Sequence, residues 1–174
     1  NTNTGLTYAT IQGAINATET VDGNTIVLCD GPFDEQVLVN KELSIKPATV
    51  SGSPATPVVN FTGTPSGKPT LFDVSKNNVS IDGIHFNVDL SKLKSAIIAS
   101  ASDIDLITIK NNTFTPYGTA SSGTYMDRNA VSVNFGGSNN YRVATGGVDN
   151  IVFDNNTVVS NGTNSFRAGI SADE

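Results

Sequence analysis

Short apolar clusters punctuate this chain, and three of them superimpose without a gap. They are Val79-Ser80-Ile81-Asp82-Gly83-Ile84-His85-Phe86, Ile107-Thr108-Ile109-Lys110-Asn111-Asn112-Thr113-Phe114 and Ile151-Val152-Phe153-Asp154-Asn155-Asn156-Thr157-Val158. The shared pattern is apolar, any, apolar, polar, Gly or Asn, any, any, apolar. Two apolar residues at period two make a short strand with one face turned inward. The fifth position, Gly83, Asn111 or Asn155, is filled only by residues that tolerate the left-handed backbone. Each strand therefore ends in a sharp bend, after which Phe86, Phe114 or Val158 points back inside.

A second strand family alternates with the first: Leu71–Val74, Ala96–Ala99, Ala130–Val133 and Ala168–Ser171. The aligned segments start at residues 79, 107 and 151, and the wider interval holds two polar loops, at 115–129 and 136–148. Strands recurring every few tens of residues, with insertions gathered into loops, predict a solenoid whose turns bury one another's apolar faces. Successive strands would be parallel and ~4.8 Å apart. Before the first turn, Ile11, Ala14, Ile15 and Thr18 fall at helical spacing over residues 7–20, with Thr7 as N-cap. Such a helix would cover the apolar end of the stack and its unpaired strand edges. Strands Thr25–Cys29, Gln36–Val39 and Leu43–Ile45 follow, with a turn at Asp30-Gly31-Pro32.

The stretch Tyr8–Ile15, then Gly23–Leu28, Gly31–Lys41 and Leu43–Lys46, resembles the opening of pectin-lyase-like right-handed β-helix proteins. That opening is shared by pectin methylesterases, periplasmic copper-site accessory proteins and many surface proteins. The later Asn-Asn turns resemble the same superfamily. The resemblance implies an all-β fold, a right-handed parallel β-helix of about five coils with a short N-terminal capping helix. It makes residues 1–174 one domain, with coils over 24–172. It says little about function, because this fold hosts enzymes, adhesins and spacers alike. The paired-Asp and Gly-His-Gly motifs of polygalacturonases are absent, as is the Asp/Arg set of pectin methylesterases. Their early Gly-x-aromatic-x-Glu segment is present as Gly31–Glu35, where it reads as structural.

Composition narrows the function classes. The formal charge of -6 opposes general nucleic-acid binding, which needs a basic face. No run approaches the ~20 apolar residues of a membrane-spanning helix. The single cysteine, Cys29, continues the run Ile26-Val27-Leu28 and is expected in the core. Six N-x-Ser/Thr sequons, at Asn16, Asn60, Asn78, Asn111, Asn155 and Asn161, are no more than a chain this rich in Asn, Ser and Thr produces by chance.

Candidate chemistry is sparse. The fourth repeat position places Asp82, Lys110 and Asp154 in one outward column. Lyases of the superfamily that the chain resembles use carboxylates on calcium and a Lys or Arg base. A surface ladder of alternating charge explains the same column, and a lysine between two carboxylates stays protonated, the wrong state for a base. Three residues before Ile97, Val131 and Ile170 lie Lys94, Arg128 and Arg167. Such a column of cations suits carboxylate or sulfate groups of an acidic polysaccharide. Tyr117, Tyr125 and Tyr141, in the flanking loops, would add sugar-stacking faces. His85, the one histidine, fills a slot shared with Thr113 and Thr157 and is expected exposed and structural. No Cys/His metal set exists; Asp73, Asp82, Asp103 and Asp105 are the residues open to Ca2+, without calcium-loop spacing.

The strand Ala168–Ala172 reads as the start of an unfinished C-terminal coil, open to further β-helix coils or another copy. The expected function is a non-catalytic extracellular or cell-surface module, a stalk or acidic-glycan-binding segment of a larger protein. A polysaccharide lyase or esterase and a self-assembling filament subunit are the alternatives. No nucleic-acid partner and no membrane span are expected.

Overall fold

A computed structural model describes residues 1–99, 104–119, 129–133, 148–160 and 165–172. The chain passes repeatedly through three sheets, A, B and C. The first turn is β1 (Thr25–Leu28), β2 (Phe33–Asp34) and β3 (Val37–Val39), and the second is β4 (Ser44–Pro47), β7 (Val58–Asn60) and β8 (Thr70–Val74). The third comprises β9 (Val79–Asp82), β10 (His85–Asp89) and β11 (Ser95–Ala99). The fourth comprises β12 (Ile104–Lys110), β13 (Thr113–Tyr117) and β14 (Asn129–Val133). The fifth is β15 (Val148–Asp154), β16 (Thr157–Val158) and β17 (Ala168–Ala172).

Each sheet stacks one strand from every turn: β1-β4-β9-β12-β15, β2-β7-β10-β13-β16 and β3-β8-β11-β14-β17. Every pairing within these sheets is parallel. The fold is all-β, with stacked parallel strands and no closed barrel, an arrangement consistent with a parallel β-helix of five turns. Counted from β1, β17 is the third strand of the fifth turn. Between β4 and β7 an antiparallel hairpin, β5 (Thr49–Val50) and β6 (Ser53–Pro54), projects outward. The sequence pattern did not suggest it. Its turn residues Ser51 and Gly52 both have positive φ, as a tight two-residue hairpin requires.

The three aligned segments stack in the register that the alignment gives. Val79, Ile107 and Ile151 are neighbours, and so are Phe86, Phe114 and Val158. The bend residues Gly83, Asn111 and Asn155 have φ of 67°, 56° and 48°, the left-handed region. The first of them must be glycine for a second reason: a Cβ on Gly83 would sit 2.9 Å from Pro47 Cγ of the turn before. One position before each aligned segment lies a second left-handed column, Asn78, Leu106 and Asn150, at φ 52°, 57° and 53°. It escapes sequence reading because its middle member is leucine, which rarely takes this conformation.

Inward columns fill the interior. Ile26, Ile45, Ile81, Ile109 and Phe153 form one, and Val37, Phe72, Ile97, Val131 and Ile170 another. Phe72 meets Phe86 edge-on at 5.2 Å between ring centroids, and Phe86 stacks on Phe114 at 5.3 Å. Such contacts contribute about 0.5–1.5 kcal/mol each beyond their buried area.

The helix α1 spans Ile11–Asn16, shorter than the expected 7–20, and its N-cap is Thr10 rather than Thr7. Two charged side chains of the first turn fix its ends. The Glu35 carboxylate accepts from Ile11 N at 2.8 Å and Gln12 N at 2.9 Å. Lys41 Nζ donates to Ile15 O, Ala17 O and Thr20 O at 2.6, 3.0 and 2.6 Å. Anion at the N-terminus and cation at the C-terminus match the helix dipole. These contacts also explain the shortening, because the carbonyls after Asn16 turn to Lys41 instead of continuing the helix. Glu35 is thus the structural residue that the Gly31–Glu35 segment promised. Gln12 reaches the edge strand β3, accepting from Leu38 N at 2.6 Å and donating to Leu38 O at 3.3 Å.

Candidate functional site

The register joins Asp82 to Lys110 and Lys110 to Asp154 on the outer face of sheet A. Lys46 belongs to the same column, since Ile45 pairs with Ile81 one residue earlier. The sequence held the signal, because Leu43-Ser44-Ile45-Lys46 repeats the apolar, any, apolar, polar pattern. The column runs Lys46, Asp82, Lys110, Asp154, alternating in sign. Lys110 Nζ lies 3.6 Å from Asp82 Oδ2, and Asn111 Nδ2 donates to Asp82 Oδ1 at 2.7 Å. Both Asp82 oxygens are therefore engaged. Lys110 is thus a paired, partly solvated cation.

The left-handed bends generate hydrogen-bonded ladders beside this column. On the outside, Asn155 Nδ2 donates to Asn111 Oδ1 at 2.7 Å. One residue further along and more buried, Asn112 Oδ1 accepts from Ile84 N, and Asn156 Oδ1 accepts from Asn112 N and Asn112 Nδ2. Asn112 Nδ2 and Asn156 Nδ2 donate to Ile81 O and Ile109 O of the preceding turns. Asn112 is only 1% exposed, so these bonds satisfy polar groups that water cannot reach.

Lys94 and Arg167 each precede a sheet C strand at the same register position, because Ser95 pairs with Asn129 and Asn129 with Ala168. They are two strand steps apart, roughly 10 Å. Lys94 is half-buried and Arg167 exposed, and each already has an interaction partner. Arg128, Tyr125 and Tyr141 lie outside the described residues. Tyr117 does not sit in a loop: it ends β13, beside Asp89 of β10. Its backbone carbonyl accepts from Leu90 N at the corner leading to Lys94. Burial, then the charges of Asp89 and Asp34, push its hydroxyl above the ordinary tyrosine value. An acidic neighbour at that ring disfavours an anionic sugar there.

The carboxylates open to Ca2+ are dispersed. Asp73, on sheet C, is ion-paired to Lys68 at 2.8 Å. Asp105, on sheet A, accepts from Leu106 N and Asn150 Nδ2. Asp103 lies outside the described residues. Among the described residues, no group of three or more His, Cys, Asp or Glu gathers as a metal site.

Two sequence expectations are corrected. Cys29 is exposed, not core. Alternation decides this, since Ile26 and Leu28 point inward and Val27 and Cys29 outward. His85 is half-buried rather than exposed, with Nε2 2.8 Å from Thr115 Oγ1, and desolvation holds its pKa below the ordinary value. Two concave features have no counterpart in the sequence pattern. A cavity of about 470 Å³ lies beside the first turn between the segment before α1 and β1, lined by Leu6, Tyr8, Ile26, Leu28 and Phe33. A groove of about 340 Å³ on sheet C is lined by Gln12, Gln36, Leu38, Ser66, Lys68 and Asp73. Gln36 and the Lys68–Asp73 pair are satisfied within it.

No protein-family description matches the chain, and no solved structure matches it. Over 83 residues, 48% of its length, the chain is 35% identical to a cell surface glycoprotein of Methanothermus fervidus. The chain is similar to part of a surface protein. The matched stretch is 12% of that glycoprotein, so the relative's full length lies mostly outside the similarity. No helix among the described residues is long and apolar enough to cross a membrane.

Proposed function

We propose that the chain is a non-catalytic structural module of a larger extracellular or cell-surface protein, a right-handed parallel β-helix of the pectin-lyase-like type acting as a rigid spacer. The observation that carries this reading is the state of the outward charges. Lys110 is paired with Asp82 and Lys68 with Asp73, so the groups best suited to acid-base chemistry are occupied by one another. Catalysis needs a base, an acid or metal and a charge stabiliser converging on one point. The partial similarity to a cell surface glycoprotein agrees with the location. The test is incubation with polygalacturonate and calcium, following the absorbance of unsaturated products. No product is expected, and product formation abolished by Lys110→Ala overturns the reading in favour of a lyase.

A glycan-binding form of the module has its own support, the shared register position of Lys94 and Arg167 on one edge of sheet C. Acidic-glycan binding that is lost in Arg128→Ala and Arg167→Ala would establish it. A chain that binds no acidic glycan is a spacer alone. Assembly into filaments through both ends has less support, because α1 and Gln12 occupy the first-turn end.

A further inference from the structure

The Asn ladder has a direction, and its last rung among the described residues is at the fifth turn. Ile84 N is bound by Asn112 Oδ1 of the following turn at 2.9 Å, and Asn112 N by Asn156 Oδ1 of the turn after that at 3.0 Å. Asn156 N–H stands at the same register position and faces away from the fourth turn, on the side where no further strand lies among the described residues. The outer ladder ends likewise. Asn155 Nδ2 donates backward to Asn111 Oδ1, which leaves Asn155 Oδ1 turned to the open side. Apolar columns end there too. Val158 and Ile170 are each 37% exposed, although Phe114 and Val131, one turn earlier in the same columns, are 0% exposed. Asp154 is exposed where the alternating column calls for a cation next.

We propose that this end is a docking face for one more parallel turn, whose first strand and bend read apolar, any, apolar, basic, Asn, Asn. Its second Asn supplies an Oδ1 to Asn156 N–H, its first Asn an Nδ2 to Asn155 Oδ1, and its basic residue faces Asp154. The turn is supplied by the larger surface protein, so the inference rests on the spacer reading above. A second copy of this chain does not fit. Its first-turn end is closed by α1, and Gln12 consumes both backbone groups of Leu38. Its last-turn end, apposed to this one, offers an Asn156 Oδ1 that already accepts two hydrogen bonds from Asn112.

The probe is a synthetic peptide with the sequence of Ile107–Tyr117, which places a Lys opposite Asp154 and an Asn opposite Asn156. Strand addition to an open edge is an established mode of peptide recognition. Hydrogen exchange of the 174-residue chain is followed with the peptide at up to about 1 mM, where even weak strand addition registers. The Asn156 amide is expected to exchange at least about tenfold more slowly. The peptide carrying Asn112→Ala is expected to slow exchange along β15 and β16 but not at Asn156. No slowing by the first peptide, or equal slowing of Asn156 by both, overturns the proposal. Sedimentation showing that the chain alone dimerises through this end, with Asn156 protected in the dimer, overturns it in favour of a second copy. Lyase activity would sink the spacer reading without touching this assay, so the two failures are separable.

Discussion

The two ends of the stack meet the same physical problem in opposite ways. At the first turn, β1, β2 and β3 would expose unpaired backbone and apolar side chains. There α1 lies over the interior, Gln12 bonds the edge backbone at Leu38, and Glu35 and Lys41 hold the helix by its two ends. Ile11, Ala14 and Ile15 are buried by that contact. Among the described residues, the fifth turn carries the last member of each column. Ile151 and Phe153 are half-buried, and Val158 and Ile170 more open still. The closure of the first turn uses residues outside the repeat, so coil stacking and end closure are separate devices. The repeat builds the first, and sequence outside the repeat must supply the second.

The contrast can be broken most severely through the aromatic ladder. Phe86→Ala removes a ring packed on both sides and is expected to cost about 3–5 kcal/mol in urea unfolding, against less than half of that for Phe153→Ala at the open end. Equal costs would mean that the last turn is as well packed as the middle. Next in size is Lys41→Met, which leaves three helix-end carbonyls without their charged donor and should cost about 2–3 kcal/mol. Hydrogen exchange should then show the first turn opening before the third. A loss spread evenly over all turns would deny the helix its role as a local closure.

Leu106→Asn should act in the other direction, raising stability by about 1 kcal/mol. Its φ of 57° is strained for leucine, its neighbours in the column are Asn78 and Asn150, and at 51% exposure it has little burial to lose. Thermal melting of the variant checks the sign. The smallest effect concerns pH. Burial holds the His85 imidazole below its ordinary value of 6.5, so the unfolded chain takes up the proton more readily. The contribution is whole above that value and is lost as pH falls through it toward the lower folded value. Melting temperatures above and below pH ~6.5 should show this loss in the native chain and not in His85→Thr, the residue its slot holds in the next two turns.

How much of this was legible follows from what repeats. The corner at Gly83, Asn111 and Asn155 could be read because three segments present it in one register and each residue tolerates left-handed backbone. The membership of Lys46 in the charge column was equally legible but required extending the repeat back to Leu43. Cys29 was misplaced because an unbroken apolar run hides its own alternation, and only the inward Ile26 and Leu28 reveal which phase is buried. The Asn78, Leu106, Asn150 column was hidden by its leucine, and the β5–β6 hairpin by lying outside the repeat. Of the candidate sites, the sequence could place residues in columns, as it did for Asp82, Lys110 and Asp154. It could not say that Asn111 would occupy the second oxygen of Asp82, since that depends on rotamers across two turns.

The sign alternation from Lys46 to Asp154 has a bearing on how far such a ribbon can extend. From the second turn to the fifth, each pair of turns adds one cation and one anion to that column, so the column itself accumulates no net charge over those four turns. Neighbouring opposite charges roughly 5 Å apart also attract one another, which opposes separation of the turns along that column. Salt screens attraction between exposed charges, so the column is expected to hold the turns together more firmly at low ionic strength than at high.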